Sequence, residues 1–206
     1  MPERKKDKGL LVVLSGPSGV GKDSIIRELV KEDPTRFHSV SMTTRKPRRD
    51  EEEGRSYYFT GKEDFEKMIQ KGEILEYDTY LEEYYGTPKA PIEQMIEEDI
   101  DVFLDLTIKG ALELKKNYPG AVIVFITAPD CDTLRHRLLC RGTETAEVIE
   151  KRLRAAEEEI RNIQRFDYWV ENDRIPDAAA DVAAIIRAEK RRTSRHFLDG
   201  ERPETV

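Results

Sequence analysis

The 206-residue sequence is short of the features that mark several specialised classes of protein. Its two cysteines, Cys131 and Cys140, are too few for a disulfide-stapled scaffold and match no metal spacing, so both are expected to be reduced packing residues. No apolar run approaches the roughly eighteen residues of a membrane-spanning helix, and no signal-peptide pattern precedes the short run at Leu10–Ser15. The expected location is therefore the cytoplasm, with no membrane partner. Positive charge is not in excess: 35 Lys and Arg stand against 42 Asp and Glu, a net charge of −7, which argues against nucleic acid as a partner held by bulk attraction. The three histidines, His38, His136 and His196, share no spacing with carboxylates or cysteines and read as surface or packing residues. What the chain does have is 37% charged and 38% apolar residues, the balance of one folded domain with a highly charged surface.

Leu10–Ser15 is continuously apolar and bounded by glycines, which predicts a strand buried on both faces of a parallel sheet. A glycine-rich turn and a helix over Ser24–Lys31 follow. Further strand-then-helix units are predicted with strands at Val102–Leu106, Ala121–Ile126 and Tyr168–Glu171, the last two followed by helices over Cys131–Arg141 and Asp177–Lys190. This order indicates an α/β fold with a mainly parallel central sheet. Between the first and second units, short aromatic-rich strand candidates at Phe37–Ser41, Tyr57–Phe59, Ile74–Tyr80 and Tyr84–Tyr85 surround one helix, indicating an inserted mixed sheet. Thr60 and Glu63 read as a capping box for that helix and Gly72 as its stop. Residues 136–165, with a long amphipathic helix, read as a second irregular piece. Residues 1–9 and 191–206 read as flexible ends.

Gly16–Ser24 reads GPSGVGKDS, which places a G-x-x-x-x-G-K pattern directly after a strand and directly before a helix. In a phosphate loop, Gly16, Gly19 and Gly21 let the N–H groups of the segment, Ser18 and Val20 included, turn around a phosphate. The helix N-terminus adds positive potential and Lys22 reaches the terminal phosphates. The pattern usually continues with a Ser or Thr that binds magnesium, and here Asp23 stands in that place. A carboxylate about 4 Å from one phosphate charge is repelled by about 4 kcal/mol at an effective dielectric of about 20, more than a helix N-terminus returns. Asp23 must therefore face Mg²⁺ or a basic side chain, or turn away and leave the hydroxyl role to Ser24.

Beyond the loop lie SVSMTTRKPR at Ser39–Arg48, Gly54, Tyr57, Phe59, Glu76 and YYGT at Tyr84–Thr87. They are followed by LDL at Leu104–Leu106, an Arg-rich segment over Arg137–Leu153 and VEND at Val170–Asp173. From about Leu10 to Lys190 this ordered series resembles guanylate kinase, a P-loop nucleoside monophosphate kinase. The resemblance implies a P-loop NTPase three-layer fold divided into a core (about 10–40, 88–135 and 166–190), a GMP-binding insert (about 41–87) and a helical lid (about 136–165). It also implies Mg²⁺-dependent transfer from ATP to GMP, with dGMP left open as an acceptor and the oligomeric state undetermined.

Carried over position by position, Arg45, Arg48, Tyr57 and Tyr85 would hold the GMP phosphate, a task suited to planar arginine forks and phenolic donors. Glu76 would accept guanine N1–H and the 2-amino group, which adenine could not offer, while Ser41 and Thr87 would donate to O6 and N7. Asp105 would orient water on the magnesium, with Asp23 and Ser24 beside it. The family usually has a second Asp where this chain has Thr107, a weaker acceptor for the 2-amino group. Lys22, Arg137, Arg141 and Arg152 would draw in the ATP phosphates and stabilise the transferred group, Arg45 would bridge donor and acceptor, and Asn172 would lie near the adenine. Two alternatives stay open on the residues: a same-fold kinase acting on ribose 1,5-bisphosphate, where Asp also follows the lysine, and a silent guanylate-kinase-like binding module.

Overall fold

The structure is a computed structural model describing residues 8–48, 51–80, 82–140 and 146–196. Strand β1 (Leu11–Ser15) is buried along its whole length, as an uninterrupted apolar run between two covered faces requires. Its side chains alternate between two cores. Val12 and Leu14 join Ile25, Ile26 and Leu29 of α1 (Lys22–Glu32) and Val182 and Ile186 of α7 (Ile175–Glu189), whereas Leu11 and Val13 join Ile92 and Ile96 of α3 (Lys89–Glu97) and Leu114 of α4 (Ile108–Asn117). The layers are thus helix, sheet, helix.

The central sheet runs β2 (Arg36–His38), β7 (Asp101–Asp105), β1, β8 (Val122–Thr127) and β9 (Tyr168–Glu171), every pair parallel. The helices are α3 (Lys89–Glu97), α4 (Ile108–Asn117), α5 (Cys131–Cys140), α6 (Ala146–Ile160) and α7 (Ile175–Glu189), with a last turn α8 (Thr193–His196). A second, mixed sheet has the order β4 (Tyr58–Phe59), β3 (Met42–Thr43), β6 (Glu83–Pro88) and β5 (Ile74–Tyr80), and α2 (Lys62–Gln70) packs on it. Fully buried Phe65 of α2 stacks on Tyr84 with ring centres 5.1 Å apart and meets Tyr77 edge-on at 6.3 Å. The α/β class and the separate mixed sheet are as the sequence led us to expect.

Four local expectations are corrected. The strand expected over Phe37–Ser41 is split: β2 ends beside β7, Ser39 N–H still donates to Phe103, and the chain then changes sheets to pair Met42 with Gly86. Thr60 does not cap α2, because its N–H donates to Thr43 in the sheet and extended Gly61 is the residue before the helix. Cys131 and Cys140 are free but exposed, since Leu134 and Leu138 form the buried face of α5. Residues 191–196, assigned to a flexible tail from sequence, fold back. Buried Glu189 requires partners, and Arg195 supplies one at 2.6 Å while also donating to the Gly120 carbonyl.

Phe65→Ala is expected to destabilise the protein by about 3–5 kcal/mol, the cost of emptying a large buried aromatic site. A denaturant melt that moved by less than about 1 kcal/mol would show that the mixed sheet does not fold cooperatively with the rest.

Candidate active site

The C-terminal ends of β1 and β7 meet at the loop before α1, the position where parallel sheets place ligands. Gly16 has φ +136° and a Cβ there would lie 2.2 Å from the Ile126 carbonyl; Gly21 has φ +93° and a Cβ there would lie 2.5 Å from Asn172 Nδ2. Only glycine fits either place. Asn172 is buried, and its Nδ2 donates to the carbonyl of buried Val20 at 2.7 Å. Instead of being a simple turn residue, it fixes the phosphate loop from beneath. Its Oδ1 is left without a partner. Gly19 packs toward Leu134 and Leu138 of α5, and Ser18 accepts a hydrogen bond from Arg152 Nη1 at 2.6 Å, which joins α6 to the loop.

Lys22 Nζ donates to Gly16 O at 2.8 Å and lies 3.7 Å from Asp105 Oδ1. A third of the Asp105 side chain reaches solvent, yet its carboxyl is set back near His38 and Asp23, and desolvation pushes its pKa up against the pull of Lys22 and His38. His38, expected from sequence to be a surface or packing residue, is pushed the other way by burial. Asp23 pairs with Arg27 at 2.9 Å, so in this state it faces a basic side chain. Ser24 is half-buried beside it. Among the described residues no cluster of three or more His, Cys, Asp or Glu could hold a metal. Two carboxylates next to a phosphate loop, Asp23 on Arg27 and Asp105 near Lys22, are nonetheless the donor type of a hydrated Mg²⁺, which uses one or two carboxylates together with substrate phosphates.

The mixed sheet presents the second half of the site. Glu76 on β5 is only 7% exposed and its Oε1 accepts from Thr87 Oγ1 at 2.6 Å across the β5–β6 pair. No cation among the described residues pairs with it. Burial, with a contribution from nearby Asp78, raises its pKa to about 7 against the lowering effect of Thr87. Thr107 caps α4 by accepting from Gly110 N–H at 3.1 Å. A Cβ on Gly110 would lie 3.1 Å from Glu76 Oε2 and 3.3 Å from Thr107 Oγ1, so this glycine leaves room for the two oxygens to face one space. The sequence reading passed over Gly110, although an isolated glycine inside a helix was a usable signal. Ser41 lies one residue before β3, and continuing the register that pairs Met42 with Gly86 takes it toward Thr87.

Arg45 lies 5.5 Å over the Tyr57 ring, which meets Tyr85 edge-on at 6.0 Å, and the exposed Arg48 follows on the same loop. Arg137 donates to the carbonyls of Asn172 and Asp173 at 2.8 and 2.9 Å, so here it braces the end of β9 and is not brought to the loop in the way Arg152 is. Arg141 lies outside the described residues. A cleft of about 470 Å³ opens beside Thr107, Asp78 and Glu159, whereas a cavity of about 710 Å³ near Lys8, Tyr118 and Lys190 lies at the opposite end of the sheet and touches none of these groups.

A guanylate kinase family model matches residues 8–189. The chain belongs to the guanylate kinase family. It is 47% identical over 200 residues to a guanylate kinase of Lactococcus lactis, covering 94% of this chain and 98% of that one, and 46% identical to one of Clostridioides difficile, covering 92% of each. A crystal structure of guanylate kinase from Anaplasma phagocytophilum superposes with a TM-score of 0.73 at 30% identity, covering 93% of this chain and 91% of that one. Membership makes the chain a nucleoside monophosphate kinase on a P-loop fold. No helix among the described residues is long and apolar enough to cross a membrane.

The seat of Glu76 has a stability consequence for this guanylate kinase family member. A folded pKa of about 7 against the ordinary 4.5 means that ionised Glu76 costs the protein up to roughly 3 kcal/mol, a cost absent at low pH and growing as pH rises from about 4.5 through 7. Glu76→Gln is therefore expected to melt at a higher temperature than the parent at pH 8, with the difference shrinking by pH 5. Equal melting temperatures at both pH values would contradict the unpaired, buried carboxylate.

Proposed function

We propose that the chain transfers the γ-phosphoryl group of ATP to GMP, giving ADP and GDP. The observation that carries this reading is the buried, cation-free carboxylate of Glu76 sharing an open space with Thr107 and Thr87 while a phosphate loop lies across the cleft. A carboxylate in that seat has one donor, Thr87, and can accept more, and the guanine edge has two adjacent ones. Adenine presents a lone pair at N1 and would leave the acceptor unsatisfied, a penalty that selects strongly. Thr107 offers the 2-amino group a neutral oxygen, so Glu76 carries most of the discrimination.

At the donor end, the loop N–H groups and Lys22 hold the ATP phosphates. Lys22 reaches them by exchanging its bond to Gly16 O for phosphate oxygens. Arg152, which already donates to Ser18, would reach the transferred group, with Arg137 and Arg141 joining it on closure. Asn172 acts through the loop it supports, its Nδ2 holding the Val20 carbonyl, and would lie near the adenine as the family resemblance implies. Asp105, Ser24 and Asp23, once it leaves Arg27, would hold Mg²⁺, which when bound neutralises charge on the transferring phosphates. Arg45, Arg48, Tyr57 and Tyr85 hold the acceptor phosphate. One of its oxygens attacks the γ-phosphorus as the bond from the β-phosphate bridging oxygen to that phosphorus breaks; positioning and charge neutralisation suffice for this chemistry. Closure of the mixed sheet and α5–α6 over the pair keeps water from intercepting the group.

The test is an ADP-release assay with ATP and Mg²⁺ against GMP, dGMP, IMP, AMP and ribose 1,5-bisphosphate. Turnover confined to guanine nucleotides and abolished by Lys22→Ala is expected; turnover on the sugar phosphate alone, or none by a folded protein, would refute the reading. As pH falls through about 7 the KM for GMP should rise more steeply than in Glu76→Gln, because protonating Glu76 removes the acceptor for N1–H and the amine. The phosphate's own ionisation, with a pKa near 6, is common to both proteins and cancels in the comparison.

A further inference from the structure

Arg45 does not wait with an open fork. Its Nη1 donates to Glu51 Oε2 at 2.9 Å and its Nη2 to Glu51 Oε1 at 2.7 Å, the side-by-side arrangement in which a guanidinium takes two oxygens of one anion. Oε2 also accepts the main-chain N–H of Arg48 at 2.8 Å. The two side chains are only 18% and 17% exposed, and Arg45 lies over the ring of Tyr57, which meets Tyr85 edge-on. Meanwhile Arg45 Nε is buried without a hydrogen-bond partner, a donor that this arrangement leaves over. The Arg45 guanidinium and the Arg48 main chain, in the loop assigned to the acceptor phosphate, thus converge on a carboxylate that the chain itself supplies.

We infer that Glu51 is a built-in stand-in for the acceptor phosphate, filling the Arg45 fork and the Arg48 N–H until a phosphomonoester dianion displaces it. The inference rests on the reading of Arg45, Arg48, Tyr57 and Tyr85 as the phosphate cradle. Displacement, not coexistence, follows from the geometry: both terminal nitrogens of Arg45 are already engaged, Nη1 also with the Lys46 carbonyl, and a dianion brought into contact with a carboxylate is repelled. Re-aiming Arg45 at an incoming phosphate also gives its stranded Nε a route to a partner. The exchange sets selectivity. A singly charged anion only replaces one charge with one, whereas a dianion gains from the Arg48 side chain as well and wins the fork. Arg45 and Arg48 hold the Glu51 carboxyl below the usual carboxylate range, so it stays ionised wherever the acceptor phosphate does.

Glu51→Gln keeps the shape and removes the charge. Wild type, Glu51→Gln and Glu51→Ala would be titrated with GMP, guanosine and inorganic phosphate, with thermal melts to verify folding. The expected result is that both variants bind GMP and phosphate about tenfold more tightly than wild type while guanosine, which lacks the phosphate, binds equally to all three, a pattern that loss of a mere brace would not give. Unchanged or weaker binding of GMP and phosphate by both folded variants would overturn the inference. Were wild type to bind no GMP, the kinase reading would fail, and the phosphate titrations would still decide the role of Glu51.

Discussion

A largely buried carboxylate without a counter-ion among the described residues is the constraint around which the mixed-sheet half of the candidate site is arranged. Glu76 receives one hydrogen bond, from Thr87, and its second oxygen faces a gap that exists because residue 110 has no side chain. Several unrelated features serve that arrangement. Phe65 stacks beneath β6 and holds Thr87 opposite Glu76 in register. Thr107 spends its hydroxyl on capping α4, which fixes the helix that carries Gly110. Natural proteins rarely leave a buried charge unpaired unless a ligand completes it. In the proposed function the completing group is the guanine edge, and the instability of the empty seat becomes binding selectivity.

The donor half rests on a different economy of contacts, in which the phosphate loop is held from three sides. Asn172, at the end of β9, takes the Val20 carbonyl from beneath; Leu134 and Leu138 of α5 cover Gly19; Arg152 of α6 reaches Ser18 from above. Because Arg137 braces the same end of β9 through the Asn172 and Asp173 carbonyls, α5 and α6 are tied to the loop they are proposed to close over. A shift of the lid helices would therefore be felt at the loop without a separate linkage.

Much of this was legible in the chain. Continuous burial of Leu11–Ser15 followed from an uninterrupted apolar run, and the phosphate loop from glycines at fixed offsets between strand and helix. Period-2 and period-3.6 patterns located the elements but could not say where a strand changes partners, which is why Phe37–Ser41 read as one strand when it serves two sheets. Thr60 looked like a cap because capping residues are recognised locally, and only the fold reveals that its N–H is already taken by Thr43. The candidate site residues follow one by one from motif and resemblance. Their pairings in the ligand-free state, Asp23 with Arg27, Arg45 with Glu51 and Arg137 with two carbonyls, were not, since they depend on distances between side chains that sequence spacing does not encode.

The claim that the empty seat of Glu76 is completed by guanine can be measured at that carboxyl itself, by following its titration with carbon-detected NMR in the free protein and with saturating GMP. The expected result is a pKa of about 7 without GMP and a fall to below the ordinary 4.5 once the N1–H and 2-amino donors are in place. A free-protein value near 4.5, or one near 7 that GMP leaves unmoved, would contradict it.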